Sequence, residues 1–366
     1  MKIISTIIQF ILSIFLGASV GYVSIASFDG ELSIYGIFII IIFVVITLIL
    51  QLMIHEAGHL CFGIMTGYQF ISYRIGNIMF IKEDNHFKIK KFSLAGTLGQ
   101  CLLAPPDYNN NQYPVLLYNM GGSIFNLAIS LISFYLFLII NNSYLSLFCF
   151  LLAILGIYFG LTNGIPLSMS GLNNDGMNAL QTYKHQDAKK AFWKTLKINE
   201  LNSYKIRLKD MDEYLFEDIS IEDLKTELSA SLLIVNYQRA LDQEDFNKAK
   251  TIINFIDEHS VPLIGIHGAL LTNDKIYLDL VFNQTHHIDS YYTKTFKKFQ
   301  KAMQKQPSFI RTQYTYELLY KHDSNAAQSY LDMFDKISKS YPYTCDIESE
   351  KELIHYAYHI YLNREK

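Results

Sequence analysis

The chain has 366 residues, of which 50% are hydrophobic and only 18% charged, with a formal net charge of -3. That balance excludes a general electrostatic pull toward nucleic acid. Four scattered cysteines (Cys61, Cys101, Cys149 and Cys345), with no CxxC pair, exclude a disulfide framework and a cysteine zinc site.

The length allows two or more domains. Long apolar runs lie before about residue 167, whereas the remainder is rich in Lys, Glu, Asp and Tyr, so a membrane half precedes a polar half. A hydrocarbon core about 30 Å thick takes roughly 20 apolar residues of helix, and four stretches reach that length. The first is IISTIIQFILSIFLGASVGYVSIASF, residues 3–28. A secretory signal peptide is its alternative reading, but its length and the single preceding Lys2 favour a retained helix. The second runs from about 33 to 66, longer than one span, so it tilts or projects beyond the bilayer. The third covers 114–140 and the fourth 144–167.

Between the second and third spans, residues 69–93 place alternating bulky side chains around a polar KEDNH turn, which predicts a small β-hairpin. Such a hairpin either offers an edge to an extended peptide or serves as a connector. Loop charge predicts an orientation. Arg74, Lys82, Lys88, Lys90 and Lys91 follow the second span and Lys184, Lys189 and Lys190 follow the fourth, while the FDGEL and NNS loops carry no basic residue. Both termini are therefore expected on the cytoplasmic side of a cell membrane, with the end of the second span close to that face.

That end reads LQLMIHEAGHLCFG, residues 50–63. Histidines at i and i+4 lie on one helix face a turn apart, so His55 and His59 can reach one zinc ion. Glu56, beside the first ligand, can take a proton from metal-bound water, whose pKa zinc lowers from about 15.7 to about 7. An ionisable side chain costs at least about 2.5–3.5 kcal/mol near a bilayer centre and less toward the interface. Three such groups at metal-binding spacing are hard to explain as structure alone. Gly58 and Gly63 leave little bulk and permit a neighbouring helix to pack closely.

A catalytic zinc needs a third protein ligand and an open position. Asp175, in TNGIPLSMSGLNNDGMNAL after the fourth span, is the candidate, because topology puts it on the same side as the motif. Taken alone, its Asn-Asp-Gly context reads as an ordinary turn. His185, in a polar YKHQD run, is the alternative donor.

These residues resemble the site-2 protease family of intramembrane zinc metalloproteases. His55, Glu56, Gly58 and His59 match its HExGH-type motif, and Asn163, Pro166, Asp175 and Gly176 match its later Asn-x-x-Pro…Asp-Gly motif. GGSIFN, with Gly121, Gly122 and Asn126, is similar to its small-residue and Asn segment on the intervening helix. The resemblance covers about residues 33–180, and the order of the three elements agrees. One departure is the stretch LSMSGLNN between Pro166 and Asp175, longer than the family's usual spacing.

The resemblance implies Zn2+ held by His55, His59 and Asp175. It also implies Glu56 as general base and then proton donor, with Asn163 or Asn126 holding a substrate strand or the oxyanion. Asn126 serves equally well as a helix–helix hydrogen bond. The implied substrate is a membrane-embedded peptide or protein, with the lipid bilayer as surroundings and no nucleic-acid partner. Breaks at NMGG and TNGIP can line the water-filled cavity that hydrolysis needs at membrane depth.

From about residue 177 onward, apolar residues recur at helical spacing between charges, as in SASLLIVNYQRALDQEDFNKAKTIINFIDEH. Ala240, Ala249, Ile253, Ile256 and Pro262, and Ala327 in a later helix pair, give weak tetratricopeptide-like character without a clean period.

The expected fold is thus an all-α polytopic membrane protein with four transmembrane helices and a small β-hairpin. Its expected parts are an N-terminal helix over 1–32, a metalloprotease core over 33–180 and a cytoplasmic helical domain over 181–366. That last domain either binds a regulator or peptide or simply supports the core. Two functions fit: a zinc endopeptidase, or a non-proteolytic peptide-handling or transport accessory that retains the motif. Glu56 favours the endopeptidase, because metal binding alone does not need it.

Overall fold

Among the described residues, four helices are long and apolar enough to cross a membrane. They are α1 (Lys2–Ala26), α2 (Ile34–Met65), α3 (Val115–Ile139) and α4 (Ser143–Gly164). Strands β1 (Gln69–Ile75), β2 (Ile78–Glu83), β3 (His86–Lys91) and β4 (Gly99–Ala104) lie between α2 and α3. After α4 come β5 (Ser168–Met169), β6 (Leu172–Asn173), α5 (Asp175–Lys184), α6 (Gln186–Ser203), α7 (Glu227–Asp242) and α8 (Phe246–Glu258). The chain closes with α9 (Gly265–Val281), α10 (Ile288–Tyr291), α11 (Lys294–Ala302), α12 (Pro307–Tyr316), α13 (Ser324–Ser338) and α14 (Thr344–Arg364). This computed structural model describes residues 2–28, 33–83, 86–92, 97–109, 112–169, 172–217, 224, 226–261, 263 and 265–364.

The elements form two compact units, Met1–Ile75 with Leu98–His185, and Gly76–Thr97 with Gln186–Lys366. The first is built inside out relative to a water-soluble bundle. Phe10, Phe15, Ile41, Leu131, Tyr135 and Leu138 are exposed, whereas Thr47, Gln51, Asn126, Ser130 and Ser133 are buried. This arrangement suits hydrocarbon surroundings, where polar side chains find partners within the bundle, on their own helix for Thr47 and Ser130 and on a neighbour for Gln51 and Asn126. Ser33 caps α2 by accepting from the Gly36 amide, and Asn142 caps α4 by accepting from the Leu145 amide.

Glycines set how closely these helices approach. A Cβ on Gly58 of α2 would overlap the Gly121 carbonyl of α3, and one on Gly156 of α4 would overlap Ser130 and the Gln51 amide. At the end of α2, the Leu103 side chain of β4 fills the space that Gly63 leaves open. β4 pairs antiparallel with β1, from Gln69↔Ala104 to Ile75↔Gly99, with an irregularity between Phe70 and Ser72.

The segment 69–93 therefore supplies three strands rather than a two-stranded hairpin. Gly76, at φ +58°, ends β1, and the expected turn falls between β2 and β3, where Glu83 pairs with His86. Residues 84 and 85 lie outside the described residues. β4 was not expected, because GQCLLA has no alternation to mark it as a strand.

In the second unit, the β2–β3 hairpin buries Met79 and Ile81, which pack with Phe92 against Tyr341 and Tyr343. Glu83 pairs with Lys88 at 2.9 Å and with Lys90. Helices α7 and α8 form a hairpin whose Ala240, Ala249, Ile253 and Ile256 are buried. The turn between them passes through Glu244 at φ 55°. Pro262 lies outside the described residues. Helices α12 and α13 also pack together, but α12 continues into a π-helical turn, Glu317–Lys321, before α13 begins. The two helix pairs differ in their connections, and no tetratricopeptide repeat is established.

The core of this unit contains a charged centre. Arg311 is buried, donates to Asp274 and, at 2.9 Å, to Glu350, and stacks 4.2 Å over the Tyr277 ring. It thereby joins α9, α12 and α14. Burial pushes the Glu350 carboxyl up to about 7, although Arg311 opposes the shift. A carboxyl raised in the fold contributes stability that is complete below its unfolded value and lost as pH rises through the folded one.

Unfolding of this unit can be followed by the fluorescence of Trp193, the chain's single tryptophan. Glu350→Gln is expected to lose less thermal stability than the wild type between about pH 5 and about pH 8. Identical pH dependence in the two proteins would assign the effect to other groups.

Candidate metal centre

Helix α2 presents His55 and His59 on one buried face, and α5 brings Asp175 to them. The two Nε2 atoms are 3.2 Å apart, and Asp175 Oδ2 lies 2.9 Å from His55 Nε2 and 3.3 Å from His59 Nε2. A tetrahedral zinc with bonds near 2.0–2.1 Å sets its ligand atoms about 3.3 Å apart. The three atoms already lie near the edges of such a tetrahedron, and the group can hold a metal ion.

The other ring nitrogens explain why these face inward. His59 Nδ1 lies 2.7 Å from the Tyr118 carbonyl oxygen, which only accepts, so Nδ1 carries the proton. His55 Nδ1 lies 2.7 Å from Asn126 Oδ1. Asn126 presents oxygen there because its Nδ2 donates to the Gln51 carbonyl (2.9 Å) and to Gln51 Oε1 (2.7 Å). Gln51 is oriented in turn, its Nε2 donating to the Leu152 carbonyl at 2.7 Å.

In their neutral form, both rings then point lone pairs at each other and at a carboxylate. Three converging acceptors without a donor, two of them buried, repel, so the space between them calls for positive charge. A proton can serve one pair of these atoms; a divalent ion serves all three.

Backbone without side chains makes room for the cluster. A Cβ on Gly122 would overlap the His55 ring, and one on Gly99, at the start of β4, would overlap the Glu56 carboxylate. Glu56 is buried beside the cluster and interacts electrostatically with His59, His55, Asp175 and Arg74. The Asp175 side chain keeps 23% of its surface exposed, against 8% and 10% for His55 and His59, so access to the cluster is from the aspartate side.

Asp175 does not sit in a free turn. Asn174 is the N-cap and Asp175 the first residue of α5. Gly176 lets that first turn rest on the end of α4, where a Cβ would overlap the Gly164 carbonyl. His185 caps the opposite end of α5. Asn163 is not drawn into the cluster: its amide donates to the Phe159 carbonyl of its own helix at 3.0 Å. Asn126 is brought in, as the hydrogen-bond partner of His55.

Gln51, Tyr118 and Asn174 were not singled out from the sequence. Gln51 carried a usable signal, a lone amide one turn before His55 in an otherwise apolar helix. Tyr118 acts through its carbonyl, which any residue possesses, so no signal existed. Compared with family models, curated proteins and solved structures, the chain matches none.

Gly58→Ala is expected to part α2 from α3 and, where the wild type retains metal through a chelator wash, to abolish that retention. The Trp193 unfolding transition should stay unchanged. Gly17→Ala, at a position with open space around it, serves as the neutral control. Metal content equal in both variants would contradict the close helix contact.

Proposed function

We propose that the protein is an intramembrane zinc metalloendopeptidase of the site-2 protease kind, cutting a peptide bond in a membrane-embedded peptide or protein. One observation carries the reading: two buried imidazoles and a carboxylate converge as acceptors within 2.9–3.3 Å of one another, beside a buried glutamate, among apolar helices.

The donor set suits zinc. Two imidazole nitrogens and one carboxylate oxygen match the ligands of hydrolytic zinc sites, whereas calcium and magnesium favour oxygen alone. His55, His59 and Asp175 would hold the ion and leave a position open. When bound there, zinc supplies Lewis acidity, making a water acidic near neutral pH and polarising the scissile carbonyl.

The chain's own residues do the remainder. Asn126 and the Tyr118 carbonyl hold the two ring tautomers, so both Nε2 lone pairs stay available. Glu56 takes the proton of the attacking water and returns it to the leaving amine, a role for which its place beside His55 suits it. Gly99, next to the Glu56 carboxylate, lets backbone approach the acid without a side chain between them.

Depth in the membrane fits the same reading. A helix of 32 residues is about 48 Å long, well beyond a hydrocarbon core of about 30 Å. His55 lies about 32 Å along α2 from Ile34, near the end that the basic loops assign to the cytoplasmic side. Water then has a short path to the metal, and the substrate enters from the bilayer.

The test compares membrane peptides from cells carrying the wild type with those from cells carrying Glu56→Gln. Glu56→Gln is expected to keep its zinc and lose cleavage by about 10²–10⁴-fold, the usual contribution of a general acid–base group. Asp175→Ala is expected to lower zinc content as well. An unchanged peptide pattern with zinc still bound would favour a non-proteolytic peptide-handling role instead.

A further inference from the structure

Two of the three ligand atoms sit on one rigid helix, but the third arrives at the end of the eight-residue stretch LSMSGLNN that separates Pro166 from Asp175. A free loop of that length would let the carboxylate wander, at an entropic cost for each metal-binding event. Two devices remove that freedom. The first is the β5–β6 pair, where Ser168 faces Asn173 and Met169 faces Leu172. Ser168 Oγ also lies 2.7 Å from Asn173 Oδ1.

The second is the side chain of Asn174. A primary amide has two donor hydrogens and two acceptor lone pairs, and here all four are used. Nδ2 donates to the Thr162 carbonyl at 2.7 Å and to the Ile165 carbonyl at 2.6 Å, both at the end of α4. Oδ1 accepts from the Leu167 amide at 3.0 Å and from the Met177 amide, in the first turn of α5, at 2.9 Å. The Asn174 backbone amide adds a bond to the Leu167 carbonyl at 3.1 Å.

These partners are groups that the local backbone leaves short. In a continuing helix the Thr162 carbonyl would accept from residue 166, but that residue is Pro166, which has no N–H. The Met177 amide is one of the first-turn donors that no helix satisfies internally. Asn174 answers both at once and so couples the last turn of α4 to the first turn of α5. Serine would cap α5 as well, but its shorter side chain offers one donor and cannot serve two carbonyls of α4.

We propose that Asn174 is a positioning residue of the metal centre: its four-way amide, rather than loop length, sets where Asp175 Oδ2 meets the two imidazoles. This rests on Asp175 being a metal ligand, as in the proposed function. Asn174 itself touches neither metal nor substrate.

The experiment measures zinc affinity of the full-length protein in detergent, by competition with a chromophoric chelator, with helical content checked by circular dichroism. Asn174→Ser and Asn174→Ala are both expected to weaken zinc binding by about 10–100-fold, the usual loss for a group that orients a ligand. The serine variant keeps the α5 cap, so its loss reports the tie to α4. Asp175→Ala supplies the decisive background. There, adding Asn174→Ala should change the residual affinity by less than about 2-fold, because the residue it positions is gone.

Wild-type affinity in Asn174→Ser would overturn the proposal, as would an equal fold-loss from Asn174→Ala with and without Asp175. Zinc binding that follows this pattern in a protein that cleaves nothing would leave Asn174 in its role and remove the endopeptidase. A wild type that binds no zinc would remove both.

Discussion

Each imidazole on α2 gives its Nδ1 proton to an oxygen that can only accept it, the Tyr118 carbonyl for His59 and Asn126 Oδ1 for His55. Everything distinctive about the centre depends on those two bonds. Were either ring free to turn over, one Nε2 would carry a proton and donate to its neighbour, and the cluster would close into an ordinary buried hydrogen-bond network. Because both are fixed, both Nε2 atoms stay turned inward, where a cation would relieve the repulsion of neutral rings and carboxylate. The fixing is itself layered: Gln51 fixes Asn126, Asn126 fixes His55, and the Leu152 carbonyl fixes Gln51. Polar chains of this kind are costly unless every member is satisfied, and here Gln51 of α2 reaches both α3 and α4 while Asn126 of α3 meets two residues of α2.

Apolar surroundings make that chain possible and also necessary. In water a Gln or an Asn competes with solvent for each bond and fixes little. Between α2, α3 and α4 it has only the facing helices, so a single amide can set the orientation of a ring. Close approach is the requirement, and glycine meets it. Gly58 and Gly121 let the α2 and α3 backbones touch, Gly122 leaves the volume that the His55 ring occupies, and Gly156 leaves that of the Gln51 amide. The small residues and the polar residues are thus parts of one arrangement: the first bring the helices near enough for the second to reach across.

Much of this was readable in the residues, and the limits have physical causes. Hydropathy marked four helices of spanning length, because a 20-residue apolar run has few other uses. The i, i+4 spacing placed His55 and His59 on one face, since helix geometry alone decides it. The long apolar second span and the polar helical C-terminal half were legible for the same reason.

What escaped was whatever depends on backbone rather than side chain. β4 has no alternation, because its Cys101, Leu102, Leu103 and Ala104 are all buried. Tyr118 contributes a carbonyl, and Asn174 was hidden in what looked like an Asn-Asp-Gly turn. Ala240, Ala249, Ile253 and Ile256, whose spacing suggested weak tetratricopeptide-like character, are buried in one helical hairpin. Packing within one hairpin carries no information about whether the next hairpin repeats it.

The three acceptors of the cluster come from two kinds of element. Both nitrogens come from a continuous helix whose hydrogen bonds are all internal, so their spacing survives any motion of loops. The carboxylate comes from the start of a short helix whose place is set by side-chain bonds to its neighbour. A side chain held that way can keep more exposure than the rings, as Asp175 does. Putting all three acceptors on one buried helix would leave no exposed side to the cluster. Splitting them brings the acceptors within 2.9–3.3 Å of one another and leaves the aspartate side of the cluster the more exposed.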